Sequence, residues 1–447
     1  MDIILPYAIS WCGVFLFVLL VNLIINHRKS SKKICSLPSR LFSYRYLMRR
    51  HKYIGPVTVT SVAAHVAYFA LNTVCLTFRV QSLREAALRA GNLALLNLVP
   101  LVLNFSLEFW FDSLHIPLKV GLRMHRAGGW MCFGLVSCHV VMMIMTDAAF
   151  SVSENIYIIS GTVSLFMLII LSISFLRHGI YEIFLKVHQC LAIGFIIGLC
   201  QHLLPTSSFQ FRCLFCYLVI SVGTTMIRSC LMMFRNKRFG HPFTKAFIRE
   251  VHNAVHIEVQ LSRALRIDAG QYLLLWIPNT GFWSFVQMHP FMVASWSNVA
   301  KDKLELVVRP RRGLTANIRN HCSTDGAVGQ NALGVEKLAF FSGPYGQSIP
   351  VWDYRGVLLT ANDFGIVALF PYLTKLIHGY RLRKGCTRRV HLVWHARELG
   401  ECRKQDGTKV GTHQVLDHIN SVHKFLDCNL EKDQSYVSGL NSSLAFF

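Results

Sequence analysis

Seven apolar runs, near residues 6–26, 57–78, 93–110, 128–146, 157–176, 183–204 and 213–228, constrain this chain more than any other feature. Each is long enough to cross a bilayer, where a helix satisfies its own backbone, so the N-terminal half is expected to be a membrane bundle of about seven helices. The third run is interrupted by Pro100 and Asn104. The first lacks a preceding basic region and a small-residue cleavage site, and it reads as a retained span, not a signal peptide. These runs account for a hydrophobic share of 53% over 447 residues.

Two of the runs carry histidines fourteen residues apart: His125 and His139, then His188 and His202. Fourteen residues of helix make almost four revolutions, so each pair lies within roughly 40° of one face and about 21 Å apart along the axis. Two such helices side by side offer two stacked His/His sites. That is the arrangement for two b-type haems held one above the other, because haem iron takes an axial nitrogen from each side. A single membrane histidine such as His65 reads as a packing residue. Four that repeat one spacing, in lipid where polar groups are rare and functional, read as ligands.

Loop charge sets the expected orientation. Arg28, Lys29, Lys32, Lys33, Arg40, Arg45, Arg49, Arg50 and Lys52 follow the first run and mark a cytosolic segment, while the loop with Asp147 and Glu154 has no Lys or Arg and reads as external. Arg228, Arg235, Lys237 and Arg238 put the C-terminal half in the cytosol, with His125 and His188 toward that face and His139 and His202 toward the outer one. The loop with Arg79, Arg84 and Arg89 is basic where this alternation says outside. Part of the net charge of +23 faces anionic lipid; the rest, including Arg309, Arg311, Arg312 and the Arg381 to Arg389 cluster, suits a polyanionic cofactor. No nucleic-acid-binding module is present, which argues against a nucleic-acid partner. The fourteen cysteines form no disulfide framework, and Cys213 with Cys216 reads as a pair of small apolar residues inside a span.

From about 245 the pattern changes to short alternating runs, VHIEVQL at 255–261, QYLLLWIP at 271–278 and KLELVVRP at 303–310, which predict an antiparallel barrel or sandwich. After about 355, VLLT and VHLVW flank the helical stretch IVALFPYLTKLI, the start of a βαβ nucleotide-binding unit. The expected division is 1–235 for the haem-binding membrane domain, 240–350 for an antiparallel β-barrel and 351–447 for a partial α/β domain.

HPFMVAS at 289–295 after GQYLLLWIP, then GLT at 313–315, GPYG at 343–346 and VHLVWHAREL at 390–399, together with RAGNLALLNLVPLVL, HRAGGW and SCH in the membrane half, resemble the fungal ferric-chelate reductases and the wider NADPH oxidase family. The likeness covers roughly residues 85 to 400. It implies two His-ligated haems in the membrane and a cytosolic ferredoxin-reductase-like module for FAD and NADPH. HPFT at 241–244 matches the family's flavin motif letter for letter, yet it precedes the first strand; HPFMVAS follows the strand that the motif should follow. By the resemblance, His289, Pro290 and Phe291 line the isoalloxazine and ribityl side and Ser295 lies near the phosphates, with Val293 and Ala294 also in the cofactor-binding stretch. Met292 stands where the family has a Ser or Thr that hydrogen-bonds the ring near N5, and a thioether cannot donate.

The nicotinamide half departs further. Gly343, Pro344, Tyr345 and Gly346 are retained, but the family's glycine-rich phosphate loop is replaced by TANDFGIV at 360–367, keeping only Gly365 and adding the charge of Asp363 where a pyrophosphate wants bare backbone N–H groups. The sequence ends without the family's late Cys-Gly-Pro motif. The expected function is transmembrane electron transfer from NADPH through FAD and two haems to ferric chelates, at the plasma membrane. The alternatives are oxygen as acceptor in a superoxide-generating oxidase, or a haem-binding partner subunit or remnant without its own reductase activity.

Overall fold

The computed structural model describes residues 46–48, 56–102, 112, 118–146, 156–173, 181–204, 209–251, 254–278, 280, 284, 288–310, 314–325, 334–395 and 445–446. The first run, the basic segment from Arg28 to Arg45, the end of the third run and the loop with Asp147 and Glu154 lie outside the described residues. The chain divides into two units, Met1–Ile227 and Arg228–Phe447.

Six helices dominate the described part of the first unit: α1 (Val59–Thr77), α2 (Leu83–Val102), α3 (Leu118–Thr146), α4 (Ile156–Leu171), α5 (Tyr181–Leu203) and α6 (Phe209–Asn236), the last of which belongs to the second unit from Arg228 on. Among the described residues α1, α3, α5 and α6 are long and apolar enough to cross a membrane, and α4 is a shorter apolar helix. Their starts follow local chemistry. Thr58 accepts the Ser61 N–H at α1. At α2, Ser82 accepts the Glu85 N–H while the Glu85 carboxylate accepts the Gln81 N–H. Helix α2 starts ten residues before the expected third run, because its first turns carry this polar cap and the Glu85–Arg89 ion pair. Arg89 also donates to the Phe78 carbonyl, so two of the three arginines that disturbed the charge alternation lie on α2 and one is neutralised locally.

Polar side chains stitch these helices where apolar packing alone gives little specificity in lipid. Tyr68 donates to Asn97 at 2.5 Å, and Asn97 donates to Asn72 at 2.8 Å, joining α1 to α2 through two asparagines that are 1% exposed. Gln210 donates to Asn92, joining α6 to α2. Helices α4 and α5 cross at Gly161 and Gly198, where a Cβ on Gly198 would sit 2.8 Å from the Gly161 Cα.

The second unit carries β1 (Lys245–Val251), β2 (Ala254–Leu265), β3 (Tyr272–Trp276), β4 (His289–Met292), β5 (Lys301–Val308), α7 (Leu314–Asp325), β6 (Val335–Leu338), β7 (Phe340–Tyr345), β8 (Gly356–Asn362), α8 (Phe370–Arg381), β9 (Arg389–His395) and β10 (Ala445–Phe446). The seven antiparallel strands fall into a four-stranded sheet in order β5-β2-β1-β6 and a three-stranded sheet in order β4-β3-β7. A bridge between Val293 and Leu306 joins the two, and one core lies between them, built on Ile248, Ile257, Leu273, Leu275, Leu306 and Phe341. The described ladders are thus two linked sheets and not one continuous closed barrel.

Strands β8 and β9 pair in parallel through a register from Gly356–Arg389 to Asn362–His395, with α8 between them in sequence, as the βαβ reading expected. Ala269 and Ala294 of the antiparallel part share cores with Leu373 and Ile366 of the βαβ part.

Candidate functional site

The fourteen-residue spacing is realised on α3 and α5. His125 faces His188 with ring centres 6.2 Å apart and planes at 61°; His139 faces His202 at 6.3 Å and 62°. Periodicity places both histidines of a helix on one side, and packing turns the two sides toward each other. Helix α3 packs chiefly on α2, and α5 on α4. Where the two histidine faces meet, the imidazoles span the space between backbones.

The rings are supported unequally. The His139 Nδ1 lies 2.8 Å from the Ala87 carbonyl of α2, which fixes that nitrogen as the N–H donor and leaves Nε2 as the lone-pair nitrogen. The His188 Nδ1 is buried without a hydrogen-bond partner among the described residues. His65 Nδ1 meets the Ser61 carbonyl of its own helix at 2.6 Å, the packing role read for it. Neutral imidazoles facing one another at this distance can bind one metal ion from opposite sides.

In the second unit, β4 is the edge strand beside β3, with Tyr272–Met292 and Leu275–His289 in register. Strand alternation sorts the motif. Phe291 and Val293 turn into the common core, at 8% and 1% exposure, while Pro290 and Met292 face outward. Ala294 is also buried, its N–H on the Glu305 carbonyl and its side chain against Ile366 and Val367. Within the stretch expected to bind FAD, the pleat thus turns the Phe291 and Val293 side chains inward, and Ala294 closes the contact with the βαβ part. Ser295 accepts the Glu305 N–H at 3.2 Å and lines a small cavity with Ile267 and Trp296.

Gly343 and Gly346 have φ of +120° and +93°, conformations open to glycine. A Cβ on Gly346 would sit 3.3 Å from the Tyr272 ring, so this turn brings backbone against the strand that carries the motif. Tyr345 is buried, its hydroxyl 2.6 Å from the Ser342 hydroxyl, while Pro344 is half-buried.

The βαβ turn follows β8 at the carboxyl end of a parallel strand, where α/β sheets take nucleotides. Its left-handed residue is Asp363, φ +47°, and not Gly365, whose backbone is ordinary. The Asp363 carbonyl accepts the Trp394 indole N–H at 2.8 Å, and the chain continues as a 3₁₀ segment from Asp363 to Leu369 before α8. A carboxylate in that first turn occupies the end of the helix that attracts anions, so the residues present do not fit a pyrophosphate.

Sequence reasoning missed three contributors. One is Gly91 with Ala87 beneath His139, inside the RAGNLALLNLVPLVL stretch. Another is Asn236, fully buried, whose amide donates to the Phe341 carbonyl at 2.7 Å and accepts the Phe341 N–H at 3.0 Å. The third is the pair of Lys375 on α8 with Asp268 at 2.5 Å, which also engages the Trp296 indole and Ser348. Burial pushes the Asp268 carboxyl up, but the Lys375 hydrogen bond and the Ala269 N–H outweigh it and hold it below the usual carboxylate range.

The sequence profile of a ferric reductase-like transmembrane component matches residues 90–199, and that of an FAD-binding domain matches residues 239–349. The chain is 28% identical over 344 residues to the probable cell surface ferric reductase kap2 of Aspergillus oryzae, covering 69% of this chain and 43% of that one. It is 27% identical over 281 residues to ferric reductase transmembrane component 1 of Schizosaccharomyces pombe, covering 54% and 46%. The chain thus spans less than half the length of these relatives. A flavohemoglobin from Malassezia yamatoensis solved with bound FAD and heme aligns at 12% identity over 70% of this chain and 77% of that one with a TM-score of 0.32, too low to carry weight. The chain is an integral membrane protein whose residues 90–199 match the ferric reductase-like transmembrane component and whose residues 239–349 match an FAD-binding domain.

Proposed function

We propose that this chain is an oxidoreductase that passes single electrons across a membrane, from FAD held by its second unit, through two b-type haems held by its first, to ferric chelates on the far side. The observation that carries the reading is the pair of facing imidazoles at two levels, with ring centres 6.2 and 6.3 Å apart. A metal bonded to one imidazole nitrogen on each side, at about 2 Å per bond, holds ring centres roughly 6 Å apart. The carbonyl-bound His139 Nδ1 leaves Nε2 of that ring as the ligating atom. Two imidazoles are a donor set that would suit haem iron.

When bound, FAD exchanges electron pairs for single electrons and haems carry them singly, chemistry that belongs to the cofactors. The chain's residues hold and shield these groups. His125 with His188, and His139 with His202, fix two sites along α3 and α5; Pro290 and Met292 offer an apolar outward face on an edge strand beside the Gly343–Gly346 turn. Ferric chelates as acceptor are supported by the names of the relatives, and a cytosolic second unit at the plasma membrane is supported by the basic residues after the first and last runs. No step is assigned to NADPH, since the Asp363 turn does not fit a pyrophosphate.

The test uses the full chain in sealed vesicles, with flavin photoreduced on one side and a ferric chelate on the other. Two haems per chain and reduction of the chelate are expected, with one haem and no reduction in His202→Ala. A chain without a Soret band, or an unchanged haem count in that variant, overturns the reading.

A further inference from the structure

We propose that α2 positions the His139 ligand through its backbone: the Ala87 carbonyl holds Nδ1–H, and Gly91, one turn later, supplies the clearance that lets the ring reach that carbonyl. The inference rests on the haem reading above. Residues four apart share one helix face, so a carbonyl at 87 and a missing side chain at 91 make one seat. The His139 ring lies in it. A Cβ built on Gly91 would sit 3.1 Å from Nδ1 and 3.3 Å from Cε1, tighter than carbon normally approaches, while Nδ1 is 2.8 Å from the Ala87 oxygen.

The seat has no counterpart at His188, whose Nδ1 is buried without a partner among the described residues. A metal-bound imidazole that donates its second N–H to a carbonyl is a stronger electron donor, and it stabilises the oxidised metal. Backbone seating at His139 therefore lowers the midpoint potential of the His139–His202 haem relative to the same haem without it. Gly91 is a positioning residue in this sense, acting only through His139.

The experiment is a redox titration of the full, haem-loaded chain in wild type and in Gly91→Ala, with Gly134→Ala on α3 as control, since a Cβ there meets nothing within 4 Å. Gly91→Ala is expected to raise one midpoint and leave the other unchanged, by about tenfold in the ferric-to-ferrous ratio at fixed potential, or about 59 mV for one electron. His139→Ala identifies the affected haem by removing it, and the control moves neither. Unchanged midpoints in Gly91→Ala, or equal shifts of both, overturn the inference while leaving the haem reading intact; a wild type without haem overturns the reading itself. Should Gly91→Ala not assemble, the wild-type ferric EPR spectrum decides. The low-spin signal lost in His139→Ala is expected to show the larger axial splitting, as from the stronger donor, and a smaller splitting overturns the proposal.

Discussion

The membrane unit and the nucleotide end of the second unit make opposite use of the backbone. On α3 and α5 the helix is a ruler, and side chains at a fixed period face one another at two levels. At the β8-to-α8 turn a nucleotide would have to be held by backbone, and one residue in the wrong conformation or with the wrong charge undoes that. Asp363 is both left-handed and acidic there. A ruler tolerates changes everywhere except at its marks, whereas a backbone cradle depends on each residue that shapes it.

That contrast can be broken most directly at the marks. His188→Ala is expected to abolish one haem and all transmembrane ferric reduction while FAD content stays at wild-type level. Equal loss of haem and flavin would mean that the two units do not bind their cofactors independently.

The second unit's dependence on backbone is sharpened by Gly346→Val. The left-handed conformation costs an ordinary residue about 1–2 kcal/mol, and the added branches press on Tyr272, so FAD retention should fall and the unit should melt earlier. Unaltered melting, followed by flavin fluorescence, would count against the turn as a constrained element. A comparable loss is expected from Asn236→Ala, which leaves the buried Phe341 N–H and carbonyl without their partner, about 1–3 kcal/mol each.

Acid should weaken one ion pair of the second unit. The Asp268 carboxyl is depressed in the folded state, so its contribution is present above its unfolded value, about 4, and is lost as pH falls through the folded value. The side chain is 46% exposed, which keeps the effect well below 1 kcal/mol. Melting of wild type and Asp268→Asn should therefore converge below about pH 4. The smallest effect expected is a gain: Asp363→Gly relieves the left-handed turn and removes its charge, so a nicotinamide nucleotide should bind more tightly by equilibrium dialysis. No gain would mean that the misfit lies elsewhere in the turn.

Much of the site was readable in advance because its information is periodic. The interval from His125 to His139 repeats at His188 to His202, and helix geometry converts an interval into a face. The strands 254–265, 272–276 and 301–308 were likewise announced by alternation. The inward turn of Phe291 and Val293 was less legible: in HPFMVAS the apolar residues run on, so alternation is silent and the choice of face falls to the partner strand. Nor does the sequence signal that the left-handed residue of TANDFGIV is Asp363 when a glycine stands two places later.

By itself the sequence determined the helix-bound histidine pairs and the antiparallel and parallel strand groups, since each follows from the repeat distance of a regular backbone. Tertiary structure alone decided which imidazole receives a carbonyl, how Asn236 reaches Phe341 across 105 positions and how Lys375 reaches Asp268 across 107. Those contacts join residues far apart in sequence, and their geometry comes from packing, which no local period encodes.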